Sequence, residues 1–515
     1  MILVVVAAAA PRLAQLNVRP MHGDEAVHAV KFAELWRTGR YVYDPQEFHG
    51  PTLYYATLPS VWLRGAKDSA ETDAATYRIV PALFGAGLIL LVALLADGFG
   101  RTAALAAALL AALSPALVFY SRYYIQETLL AFFTFALVAT GWRYAHTRRP
   151  LWAWLAGASL GLMHATKETC VIACGCLAMA VFATIVWQRW NRGTGLPLRP
   201  YLRWGIVASL GLAALVSILL YSGFFSNPRG PLDSIRAYAT YFGRAGDRAL
   251  HVRPWHYYLQ TLLFTSYAGT PVWSEGLIVV LALVGLVAAF LRHGPGDANT
   301  PLVRFLALYT ILMTVVYSAI PYKTPWCVIQ FLQPMTLLAG VGAAALLRWL
   351  SRVWRAVVGL VVCAATVHLG WQAYAASFRY FADQRNPYVY AHPVPDVARL
   401  ADWVDQLAAM HPNGRHMLIK VIAANPWPLP WYLRQYDHVG YWDQPPADPD
   451  APIVIVAGEF EPLVTTRLRN EYHVSRHGLR PEEVLSVHVR RDVYEAFAVQ
   501  AEQGRPQRRA SDVPP

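Results

Sequence analysis

The sequence predicts a polytopic α-helical membrane protein of about eleven spans, with an α/β domain outside the membrane at its C-terminal end. Three observations carry this. Of 515 residues 56% are hydrophobic and 15% charged, and the apolar ones fall in blocks rather than at even spacing. Most blocks approach the length that crosses a hydrocarbon layer of about 30 Å at about 1.5 Å per helical residue. From Ala375 onward charge and proline rise and the apolar runs shorten to strand length, as in a soluble sheet domain.

The first apolar run, Met1 to Leu16, is interrupted by Pro11, Arg12 and Gln15 and is short for a crossing. No Lys or Arg precedes it, whereas a signal peptide has a basic start. We read it as a short first span or one that begins upstream; a cleaved signal is the other reading. The stretch from His22 to Tyr55 then gathers acidic, histidine and aromatic residues. Further apolar runs follow at Val80–Ala96, Ala103–Tyr120, Thr128–Tyr144, Leu151–Met163, Thr169–Trp187, Trp204–Phe224, Gly276–Leu291, Leu302–Ile320, Trp326–Leu347 and Val357–Tyr374. Trp255–Tyr267 is shorter, aromatic and mixed with polar residues, which predicts an interfacial helix.

Loop charge orients the chain. One set of connections carries Arg101; Arg143, Arg148 and Arg149; Arg189, Arg192, Arg199 and Arg203; Arg292 and Arg304; and Arg348, Arg352 and Arg355. The alternate set carries Arg122, Lys167 and Lys323. The first set is therefore expected on the cytoplasmic side, which puts the His22–Tyr55 loop and the C-terminal domain outside an inner (cytoplasmic) membrane crossed many times. This bias also accounts for the net charge of +12 without nucleic acid. Tryptophans at the run ends fit an aromatic belt. The five cysteines form no CxxC pair and suit packing rather than disulfides or zinc.

The expected domains are a transmembrane part at 1–374, with outer loops at about 17–79 and 225–275, an α/β domain at 375–500 and a disordered tail at 501–515. In the α/β domain, Asp396–His411 has helical periodicity, and His416–Ile422, Ile453–Ala457 and Val484–Val489 read as strands.

The chemistry-bearing candidates lie where the pattern breaks. Asp24 and Glu25 follow an apolar run almost at once, close to headgroup level. The three outer cations depart from the charge bias, and two have a carboxylate near by in sequence: Arg122 with Glu127, and Lys167 with Glu168. Lys323 sits between Pro321 and Pro325. Cations and carboxylates at this level suit a lipid-linked phosphate donor. The cations would stabilise the leaving phosphate, and a carboxylate would take the acceptor's proton. His49, Tyr54 and Tyr55 complete the substrate-binding candidates. Blander readings stand beside these: Asp24 and Glu25 as caps of a helix starting at Ala26, Arg122 and Lys167 as interfacial anchors, and His49 as a loop residue. His22 and His28 bring the residues of metal-ligating type within seven positions to four, but match no zinc template, so a divalent metal is an open cofactor.

The segments GDEAVHAVKF, YDPQEFHGPTLYY, SRYYIQE, ATKET and IPYKTPW, in this order, resemble bacterial and archaeal membrane proteins named as flippase-activity-associated and grouped with C-type (GT-C) glycosyltransferases. The wider set includes the protein O-mannosyltransferase-like and lipid A aminoarabinose transferase-like enzymes. The resemblance implies a GT-C-like bundle, an active site in the first outer loop and a polyprenyl-phosphate-linked sugar donor, with a glycan, lipid or protein as acceptor. It makes Asp24, and less directly Glu25, the base or a metal ligand, and places Lys167 and Lys323 near the donor phosphate. The short first span departs from the family pattern. The competing reading is a non-enzymatic component or transporter that assists flipping of lipid-linked sugars, which would want polar residues inside the spans.

Overall fold

In the computed structural model, residues 2–46, 49–192, 200–245, 251–291 and 298–503 are described. Arg199, Arg292 and tail residues 504–515 lie outside them. Contacts divide the chain into a helical unit, Met1–Asn17, Glu34–Gly65 and Asp73–Tyr390, and an α/β unit, Val18–Ala33, Ala66–Thr72 and Ala391–Pro515. The sequence expectation placed a single division at 375.

The helices run α1 Ile2–Leu13, α2 Gly23–Thr38, α3 Thr52–Arg64, α4 Ala74–Val92, α5 Ala96–Phe99, α6 Arg101–Leu113, α7 Pro115–Ser121, α8 Glu127–Thr147, α9 Pro150–His164, α10 Cys170–Arg192, α11 Pro200–Tyr221, α12 Gly230–Ala245, α13 Tyr257–Leu263, α14 Gly276–Phe290, α15 Thr300–Ala319, α16 Ile329–Trp349 and α17 Arg352–Tyr374. Among the described residues seven helices are long and apolar enough to cross a membrane, and the bent pair α6 and α7 makes an eighth. This is a multi-pass membrane protein. The other three of the eleven expected spans are helices of 12, 15 and 15 residues, α1, α9 and α14, shorter than the roughly 20 residues a straight crossing needs. Helix α13, within the expected interfacial segment, has seven residues.

Sequence chemistry explains the break in the run Ala103–Tyr120. Pro115 cannot supply a backbone N–H and clashes with the preceding turn, and the helix turns by 59° between α6 and α7. The Ser114 hydroxyl caps the new N-terminus by accepting from Leu117 N–H at 3.3 Å. The buried Glu275 carboxylate holds the corner, accepting from the Ser114 hydroxyl at 2.6 Å, Ala116 N–H at 2.8 Å and the Tyr388 hydroxyl at 3.0 Å.

Helix α16 is the centre of the helical unit: 16 of its 21 residues are buried, against 3 of 23 in α17. Small residues permit this. A Cβ on Gly340 would collide with the Ala103 carbonyl of α6, and one on Gly342 with the Leu281 carbonyl of α14. In lipid, where apolar burial does not drive helices together, such close backbone approach is the main source of packing.

The α/β unit adds α18 Asp396–Met410, β1 Ile419–Ile422, α19 Leu429–Tyr432, β2 Val439–Trp442, β3 Ile453–Ala457, α20 Glu461–Arg467, β4 Tyr472–Arg480, β5 Glu483–Arg490 and α21 Arg491–Gln503. The expected tail thus begins three residues inside a helix. The sheet order is β2-β1-β3-β5-β4, with β1 parallel to β2 and β3, and β5 antiparallel to β3 and β4. Ile419, Val421, Ile453, Ile455, Val487 and Val489 meet Val397, Leu400, Val404 and Leu407 of α18 on one face. Ile422, Val454, Val456 and Val464 form the core of the other. Two early segments belong to this unit. Met21 N–H donates to the Tyr432 hydroxyl at 3.0 Å, and the Arg434 guanidinium donates to the Ser69 and Thr72 carbonyls at 3.0 and 2.5 Å.

Candidate active site

Asp24 and Glu25, adjacent in sequence, occupy opposite environments at the start of α2. Glu25 is wholly buried. It accepts from the Arg19 guanidinium and from His22 N–H, each at 3.0 Å. The second bond is the reach-back of a glutamate three residues into a helix, which satisfies an otherwise orphaned N-terminal donor. Helix α2 therefore starts at Gly23, not at Ala26. Asp24 has a side chain 49% exposed and 4.0 Å from His22 Nδ1, and its N–H donates to that nitrogen at 3.0 Å. His22 itself lies 4.9 Å from the His392 ring, and His28 is buried. Among the described residues no three His, Cys, Asp or Glu groups gather as a metal site.

A second cluster lies within the helical unit, at the ends of α8, α9, α10 and α16. Lys167 donates to the Glu127 carboxylate in a buried ion pair. Glu127 opens α8, where the helix dipole favours negative charge, and its carbonyl accepts from Gln330 Nε2 at 2.9 Å. Burial disfavours the charged ammonium of Lys167, but the facing Glu127 outweighs it and its pKa is raised. Glu168, next in sequence, turns the other way. Its carboxylate accepts from the Tyr43 hydroxyl at 2.7 Å and from His49 Nδ1 at 2.7 Å, with the Tyr241 hydroxyl 2.9 Å from the same nitrogen. A carboxylate facing the ring fixes the proton on Nδ1. Burial pushes the Glu168 pKa up, yet His49 and Tyr43 together bring it below the ordinary value. Tyr41 donates to the His49 carbonyl at 2.8 Å, and its ring lies 5.4 Å from that of the buried Tyr54. Tyr55 meets Phe224 edge to face.

The sequence neighbours therefore do not pair as they stand: Glu127 goes to Lys167, and Glu168 to His49. Arg122 has a capping role. It donates to the carbonyls of Pro11, Ala14 and Gln15 at 2.6, 2.5 and 3.2 Å, at the helix end where carbonyls lack intrahelical partners. Lys323 is 1% exposed and donates to the carbonyls of Ile320 and Arg253. Its loop is fastened by Lys323 N–H to the His251 carbonyl at 3.0 Å and by Arg253 N–H to the Pro321 carbonyl at 3.2 Å. Among the described residues no carboxylate stands within ion-pair distance of it, and burial pushes its pKa down. Sequence reasoning missed Tyr43, Tyr241, Gln330 and Glu275. Tyr43 lay inside the stretch that drew attention; no local pattern marks the other three.

The helical bundle with its small mixed sheet is a fold shared with solved structures of ArnT and of an archaeal oligosaccharyltransferase. Residues 54–227 match the model of the dolichyl-phosphate-mannose-protein mannosyltransferase family. The structure of ArnT from Cupriavidus metallidurans bound to undecaprenyl phosphate is similar with a TM-score of 0.64 and 16% identity, over 94% of this chain and 97% of that one. Its apo form gives 0.62 and 16% over the same shares. The apo oligosaccharyltransferase of Archaeoglobus fulgidus gives 0.57 and 14%, over 96% of this chain and 77% of that one. No curated protein sequence matches the chain. At these identities the likeness establishes the fold.

Proposed function

We propose that this chain is an integral-membrane glycosyltransferase. It moves a sugar from a polyprenyl-phosphate-linked donor to a glycan, lipid or protein acceptor on the outer face of the membrane. The acceptor hydroxyl attacks the anomeric carbon and the bond from that carbon to the phosphate oxygen breaks. The electron pair leaves with the lipid phosphate, and Asp24 takes the acceptor's proton. Lys323, with Lys167, meets the charge of the departing phosphate. The observation that carries this reading is Lys323: a buried cation with no carboxylate partner among the described residues, in a chain that shares its fold with a protein crystallised with undecaprenyl phosphate. A buried charge without a counterion is costly, and an anionic ligand would relieve it. The partial exposure of Asp24 supports it over Glu25 as the base.

The purified protein should consume a radiolabelled polyprenyl-phosphate sugar, with chelator present and absent deciding metal dependence. Asp24→Asn should lower turnover by about 10²–10⁴-fold, the usual range for loss of a general base, with unchanged thermal unfolding; full activity overturns the base assignment. A transporter reading has one observation in its favour. Polar atoms of Thr134, Tyr309 and Gln333, buried without hydrogen-bond partners among the described residues, line a cavity between α8, α15 and α16. Its volume of about 20 Å³ holds roughly one water and no sugar. Donor left unconsumed while labelled lipid crosses proteoliposomes would reverse the order of the two readings.

A further inference from the structure

Helix α12 exposes large apolar side chains that a helix facing water would bury. The side turned into the helical unit carries Ser234, Ala237, Tyr238 and Tyr241, with Ser234 and Ala237 buried. The outer side carries Leu232, Ile235 and Ala239 at helical spacing, with Leu232 51% and Ile235 63% exposed, and beside them Arg236, 65% exposed and paired with Asp233 at 3.1 Å, a charge placed to reach the headgroups from the edge of the stripe. An apolar stripe on the outside of a helix marks contact with something apolar. The preceding turn points the same way. Phe224 and Phe225 hold φ of +55° and +70°, a backbone region disfavoured for bulky residues, and the two residues are 59% and 70% exposed. Both follow within four residues of Tyr221, where the membrane-crossing α11 ends. The end of a span lies at the headgroup boundary, so the turn and the helix after it begin at that level.

We propose that α12, with Phe224 and Phe225, lies in the bilayer interface, its outer stripe seated on the acyl-chain boundary of the leaflet where α11 ends. Its inner side reaches the His49 cluster: the Tyr241 hydroxyl stands 2.9 Å from His49 Nδ1, and the Tyr238 hydroxyl 3.6 Å from Cys170 Sγ. The depth of α12 in lipid therefore sets where Tyr241 stands against His49. This last consequence rests on the glycosyl-transfer reading; the seating does not.

The test places the full chain in nanodiscs of phosphatidylethanolamine and phosphatidylglycerol doped with a phospholipid bearing a diazirine in its acyl tail, and maps adducts by mass spectrometry after illumination. Adducts are expected on the segment holding Leu232 and Ile235, and should fall several-fold in the Leu232→Glu, Ile235→Glu double variant with its melting temperature kept. Labelling of the exposed Leu210 and Leu215 of α11 without labelling of α12 overturns the seating. In the same variant the KM for lipid-linked donor should rise several-fold more than kcat falls; an unchanged KM overturns the coupling. Wild-type protein that labels on α12 but consumes no donor counts against glycosyl transfer and leaves the seating standing.

Discussion

Glu25 carries the larger structural burden of the acidic pair. Its carboxylate is buried against Arg19 and caps α2 through His22 N–H, so Glu25→Ala removes both the buried guanidinium's carboxylate and the cap and should cost about 3–5 kcal/mol, the range for breaking a buried ion pair. Thermal unfolding in detergent reads this, and Asp24→Asn in the same assay should move little. Glu168 gives a pH dependence. Its pKa in the folded protein lies below the ordinary 4.5, because His49 and Tyr43 outweigh the burial that pushes it up. The ionised carboxylate thus contributes stability that is present above about pH 4.5 and is lost as pH falls through the depressed folded value. Glu168→Gln should flatten that acid limb of the stability profile; an unaltered limb would show that the ring and the phenol do not hold the charge. At this scale adjacency along the chain is a poor guide to partnership. Lys167 lies beside Glu168 along the chain, yet the α9–α10 connection sends the two side chains apart, one to Glu127 and the other to His49.

The elements were more legible than the pairings. Apolar runs marked helices at all eleven expected places because hydropathy is a property of the local chain, while their lengths and bends depended on details such as Pro115. The run Ala103–Tyr120 reads as one span by composition and is two helices at 59° in space, secured by Glu275 from far along the chain. Helix α16 shows what composition conceals: Gly340 and Gly342 look like helix-weakening residues, and both lie at backbone crossings. Gly342→Val should force α14 away and destabilise the protein by about 1–3 kcal/mol or more, as overpacking does, read as a lower melting temperature. The same change at Gly359, which has open space around it, is the control.

For the whole molecule, the lesson concerns the first loop. Residues 18–33 and 66–72 join the C-terminal sheet domain in one unit although more than three hundred residues separate them in the chain. Arg434 is one of the ties, donating to the Ser69 and Thr72 carbonyls while stacking on Trp431. Arg434→Ala should raise hydrogen–deuterium exchange across 66–72 with little change in α16; equal protection in wild type and variant would show that the tie is idle. This union gives the C-terminal domain a part in holding the acidic loop. That part was invisible to a reading in which the domain began at 375 and stood alone.

The sequence by itself determined that the chain is a multi-pass membrane protein with a sheet domain at its end, where its helices lie and which residues are chemically out of place. These are consequences of the solvent each short segment tolerates, and they are written locally. Tertiary structure alone decided that Glu25 is sealed against Arg19 while Asp24 meets solvent, that Arg122 caps α1, that Lys323 is buried without a carboxylate among the described residues, and that α12 turns its apolar stripe outward. Each depends on which distant segments are packed together, and electrostatic partnership follows distance in space rather than order along the chain.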